Sequence, residues 1–116
     1  VVVEGVGGWR VPLNAEEDVA DLALKLKLQV LQVIGLRLDC MNHACLTEES
    51  MIASGDNIGG WIANWLVPDL PYGAEVMASL ECELGQKALG DLVFRTAQAT
   101  EPCLDNDRCD RDESCA

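Results

Sequence analysis

Six cysteines offer the most chemistry in this 116-residue chain. Cys103, Cys109 and Cys115 are spaced C-x5-C-x5-C in an acidic, turn-forming tail. Such a segment cannot bury enough apolar surface to offset its own ordering entropy. Cysteines at regular intervals in it therefore read as disulfide staples. With Cys40, Cys45 and Cys82 all six can pair, which implies an oxidising compartment and a secreted protein. Three in the tail is an odd count, so at least one should tie the tail back to the body.

The other constellations carry less. His43, the only histidine, lies between Cys40 and Cys45 in a loose C-x2-H-x-C pattern. Zinc would need a fourth ligand, with Cys82 the candidate, and no second C-x2-C or H-x3-H pair supports it. A disulfide-anchored loop with an exposed histidine is the simpler expectation. Ser50, Ser54, Ser79 and Ser114 are available as nucleophiles, but no G-x-S-x-G elbow accompanies them. Glu81 and Glu83, placed on a strand, share one solvated face, and nothing gives them the different environments that acid–base work needs. Asp105, Asp107, Asp110 and Asp112 could attract calcium, but Cys109 stands at the third ligand position of an EF-hand loop and no glutamate closes it. Gly5-Val6-Gly7-Gly8 follows apolar residues but matches neither a Walker loop nor the dinucleotide fingerprint, and reads as a flexible turn.

Trp61 and Trp65 stand four residues apart, with Ile58 and Ile62 between and before them. On a helix they share one face as core anchors. On a peripheral helix they would form a hot spot for a partner, with Trp9 a third candidate.

Net charge is −12, from 20 acidic and 8 basic residues. That sign repels nucleic-acid backbones and anionic lipid. No apolar run is long enough to span a bilayer. The chain starts at Val1 without a methionine, as expected of a mature protein whose leader has been removed. Its length suits one domain, with residues 1–100 as body and 101–116 as cysteine-rich tail.

These residues must be positioned by a small set of elements. Val1 to Val6 reads as a short strand. Asn14, with Glu17 three residues on, caps a helix over roughly residues 15–30. Leu36, Leu38 and Cys40 alternate with Arg37 and Asp39 as a strand, followed by a loop to Cys45. Short helices are expected near Met51–Ser54 and from Asn57 to Leu66. Ala74 to Leu84 alternates with period two and reads as a strand, with Gly85 to Gly90 as a hairpin loop and Asp91 to Ala99 returning. The order β-α-β-α(α)-β-β predicts an α+β fold: a small, mostly antiparallel sheet with one long and one or two short helices, and a disulfide-stapled tail.

Gly7-Gly8 before an acidic-capped helix, and Gln32-Val33-Ile34-Gly35 after it, are similar to the N-terminal glycine and Q-x-V-x-G loop of cystatins. That resemblance covers about 30 residues and implies inhibition of cysteine proteases. No Pro-Trp pair follows, which places inhibition second. By architecture alone, small secreted α/β sandwiches with several disulfides resemble fungal killer toxins and pathogen effectors. The expectation is a secreted, non-enzymatic, toxin- or effector-like protein. It would bind a protein or cell-surface target, without nucleic acid, cofactor or metal. A small hydrolase or calcium-binding module stands third.

Overall fold

The computed structural model describes residues 1–5 and 7–95. The tail cysteines, the aspartate cluster and the end of the expected hairpin lie outside that range.

Asn14 does cap, but only a turn: its Oδ1 accepts the N–H groups of Glu16 and Glu17 at 2.8 and 2.9 Å. The helix α1, Val19–Leu26, begins later, where Asp18 and Asp21 form a reciprocal capping box. Lys27, left-handed at φ 55°, ends it. The expected helix to residue 30 is thereby cut short, and the strand expected around Leu36–Cys40 lies earlier in the chain, as β1, Val30–Leu36.

Cys40–Ser54 is one continuous helix, α2, where a loop and a short helix were expected. Gly55 closes it in the left-handed region at φ 77°. The segment expected as a second short helix is a strand, β2, Ile58–Trp65. Gly59 and Gly60 disfavour a helix, and the β-branched and aromatic residues around them suit a pleated surface. Gly73–Glu83, expected as a strand, is helix α3. Its Ala, Met, Leu and Glu content favours that outcome. A three-residue strand, β3, Gly90–Leu92, follows. Residues 1–5, expected to open as a strand, form none.

The sheet order is β1-β2-β3, and both pairings are parallel. Parallel neighbours cannot be joined by a tight turn and need a crossover. Helices α2 and α3 are those crossovers, and they contact each other over the sheet. The expected antiparallel α+β sheet is thus replaced by a parallel α/β unit, because the segment before β3 is a helix and not the first arm of a hairpin.

Trp61 anchors the core at 1% exposure, with Ile34, Leu36, Cys40, Ala44, Ala63, Leu80 and Leu84. Its indole N–H donates to the Gln86 carbonyl at 3.0 Å, so the one polar atom of the ring is satisfied. Gln32 reaches from β1 to the Ala44 carbonyl of α2 at 3.1 Å.

Among the described residues Cys40, Cys45 and Cys82 form no disulfide with one another and are free thiols. Cys40 is buried in the core, Cys45 is half-buried, and Cys82 is exposed on α3. Burial, with Glu83, Glu48 and Glu49 nearby, pushes the Cys45 thiol pKa up. In a variant whose tail cysteines are replaced by serine, Ellman's reagent is therefore expected to label Cys82 first without denaturant. Cys45 should follow slowly and Cys40 only on unfolding. Three equally fast thiols, or none, would contradict this packing.

Asp18 also pairs with Arg10 at 2.7 Å, fastening the N-terminal segment to the start of α1. The Asp21 backbone N–H, then Arg10, hold the Asp18 carboxyl below its ordinary pKa against the opposing effect of burial. A depressed carboxyl stabilises the fold above its unfolded pKa, and the effect fades as pH falls through the folded value. Urea midpoints of the wild type and Asp18→Ala should therefore differ at pH 7. They should converge as pH drops below about 4.

Candidate functional site at the carboxyl edge of the sheet

All three strands end on the same side, at Leu36, Trp65 and Leu92. In open parallel sheets the crevice outside the carboxyl ends is where ligands bind, because the connections there are free to diverge. Crossover helices start at that edge. α2 begins after Asp39 and α3 after Tyr72, and among the described residues neither has a side-chain cap on its first N–H groups. Uncapped N–H groups and the positive end of the helix dipole favour an anionic ligand.

Asn64 sits one residue from the end of β2, opposite Gly35 of β1 and Leu92 of β3. It is half-buried, and its carboxamide makes no hydrogen bond among the described residues. It therefore presents a free donor and a free acceptor at the edge. Glu4 is exposed and without an ion pair among the described residues. It ends the apolar run Val1-Val2-Val3 and precedes Gly5, which lies against Val19 at the start of α1.

Sequence reasoning passed over both residues. The signal for Glu4 was present: a β-branched run ending in a carboxylate and followed by glycines. Asn64 had no such signal, because its position depends on Ile58–Trp65 being a strand.

The structure distributes the expected site residues widely. Trp61 is in the core, and Trp65 is half-buried beside α3. Trp9 is half-buried in the N-terminal segment, its indole nitrogen enclosed and without a hydrogen-bond partner among the described residues. The three do not form one patch. His43 is exposed on α2, where Cys40 and Cys45 fall on well-separated faces of the helix. Among the described residues no group of three or more potential metal ligands occurs. Glu81 and Glu83, on a helix and not a strand, point to nearly opposite sides. Elsewhere, burial raises the Asp56 carboxyl pKa, and one enclosed oxygen has no hydrogen-bond partner among the described residues. It lines a shallow hollow with Leu24, Lys27 and Asn57 near the start of β2, away from the carboxyl edge.

Known proteins correct the functional expectation. An ATP-dependent dethiobiotin synthetase (BioD) of Janthinobacterium sp. (strain Marseille) is 48% identical to this chain, over 78% of it and 38% of that protein. The BioD of Cellvibrio japonicus (strain Ueda107) is also 48% identical, over 90% of this chain and 47% of its own length. That of Chromohalobacter salexigens is 43% identical, over 85% and 45%. The chain thus spans less than half the length of these relatives.

The expectation of a non-enzymatic toxin or effector is overturned, since these relatives are named as ATP-dependent enzymes. The cystatin-like inhibitor and the secreted hydrolase or calcium module fall with it. Secretion and a cell-surface target rested on disulfides, and the described cysteines are free. Among the described residues no helix is long and apolar enough to cross a membrane. The family described as an AAA domain matches residues 1–97, and it accounts for the parallel sheet where a disulfide-stapled sandwich was expected. The chain belongs to the AAA-domain family.

Proposed function

We propose that this chain contributes the nucleotide-base side of an ATP-dependent dethiobiotin synthetase. Support comes from the relatives' activity and, in the structure, from the carboxyl edge of the sheet. The observation that carries the proposal is the free Asn64 carboxamide at the carboxyl end of β2, on the sheet edge where α2 and α3 also begin, without side-chain caps among the described residues. An asparagine amide pairs in two-pronged fashion with the amino group and ring nitrogen of adenine. The N–H groups at the starts of α2 and α3 suit anionic groups of the substrates.

Magnesium that accompanies ATP takes one or two carboxylates and otherwise phosphate oxygens and water. Glu4 is assigned to that need as an exposed carboxylate, unpaired among the described residues, at the end of the apolar run Val1-Val2-Val3. When bound, the metal neutralises charge developing on the phosphates. The role of Glu4 would be to hold the ion and orient it. The role of Asn64 would be to select the base.

A bacterial strain lacking its own dethiobiotin synthetase provides the test. Given the gene that encodes this chain, it is expected to form dethiobiotin, detected by mass spectrometry, and absence of the product would overturn the proposal. Asn64→Ala should raise the KM for ATP about tenfold, from loss of a two-pronged base contact. Glu4→Gln should raise the magnesium concentration needed for half-maximal rate. Asn64→Ala with an unchanged KM would remove the assigned base contact.

A further inference from the structure

Trp65 ties the carboxyl end of β2 to two neighbours. Successive residues of a strand point to opposite faces, so Asn64 and Trp65 project oppositely. The Trp65 indole Nε1–H donates to Asp91 Oδ2 of β3 at 3.1 Å. The same ring lies on the first turn of α3: a Cβ added at Gly73 would stand 2.5 and 2.7 Å from two of its carbons. Only glycine permits that approach, and Gly73 is buried. Tyr72 before it is held in the left-handed region at φ 59°, and the Gly73 N–H closes a turn onto the Leu70 carbonyl at 3.1 Å. One indole thus joins β2, β3 and the start of α3, at both ends of the loop 66–72.

We propose that the Trp65–Asp91 pair positions the Asn64 carboxamide and so sets the preference for one nucleotide base. This rests on the nucleotide reading of Asn64. β3 pairs with β2 only through Gly90, Asp91 and Leu92, and all three residues are exposed. A strand so short has little of its own to hold it in register. The hydrogen bond from Trp65 to Asp91 supplies a further tie, one residue from the Leu92 that faces Asn64. An amide tells an amino-bearing base from a carbonyl-bearing one only when its oxygen and nitrogen are held in place. Loosening β3 removes one side of that hold. Trp65 and Asp91 are therefore positioning residues, since neither has to touch the nucleotide.

The test compares ATP with GTP in the protein expressed from its gene. Asp91→Ala removes an exposed acceptor and leaves the core intact. It is expected to raise the KM for ATP about fivefold with kcat unchanged, the loss of one hydrogen bond. The ATP-over-GTP preference should shrink by a similar factor. Trp65→Phe should match it, and Asp91→Asn, whose amide oxygen still accepts, should restore wild-type values. A purely structural role would lower the unfolding midpoint without changing base preference, and that result would overturn the proposal. Asn64→Ala separates the two levels. If it abolishes the preference while Asp91→Ala and Trp65→Phe keep it, the positioning role fails and the nucleotide reading stands. If Asn64→Ala keeps the preference, the nucleotide reading fails and the positioning role with it.

Discussion

Two parallel strands cannot be joined by a hairpin, and the arrangement of this protein follows from that constraint. The chain leaves β1 at Leu36 and must return to the other end of the sheet before β2 can start at Ile58. The return is the 15-residue helix α2. The same step repeats through α3, so the strand ends and the helix starts all gather along one edge. That edge collects free N–H groups and the ends of three strands without any residue being selected for reactivity. What stands there is Asn64 on one face of β2 and Trp65 on the other.

Among the described residues the sheet is covered by helices on one face and open on the other. On the helix side Trp61 fills the space between β2 and the crossovers, and removing its ring would cost about 3–5 kcal/mol. On the far side Leu31, Val33 and Leu92 are 49, 58 and 55% exposed. Gly60 and Ile62 lie between them in register. Parallel sheets are ordinarily covered on both faces. The apolar surface on this side is therefore a property of the strands' sequence, which in β1 is almost continuously apolar, as in strands buried on both faces.

How much of this was legible depended on whether a spacing distinguishes two periods. Residues four apart share a face on a helix and also on a strand, so Trp61 with Trp65, and Ile58 with Ile62, could not decide between them. The glycines at 59 and 60 were the better witness. Val76, Leu80 and Leu84 are likewise four apart and fit either period, and there helix propensity was right where alternation misled. Capping was legible in kind but not in place. Asn14 caps a turn, and the capping box at Asp18 wins because its two carboxylates satisfy one another's backbone N–H groups. Of the candidate site, Glu4 could have been found from its apolar run, whereas Asn64 could not be found without the strand. The cysteines misled because their number was weighed and their surroundings were not. Cys40 and Cys45 lie on one helix, Cys40 packed into the core as a small apolar side chain.

Net charge bears only on large partners. A total of −12 argues against large polyanions, whose many phosphates sample the whole surface. It argues little against a small anion held in a crevice. At physiological salt the field of an exposed charge decays over about 8 Å, so carboxylates elsewhere on the surface are screened from such a crevice. Six of the twenty acids fall in residues 101–116 alone. What an anion meets at the carboxyl edge is local: N–H groups at the starts of α2 and α3, and, just before α2, Arg37 in an ion pair with Asp39 at 2.8 Å. An acidic protein and a site for an acidic ligand are therefore compatible, because backbone dipoles act at a few ångströms, where net charge says nothing about the field.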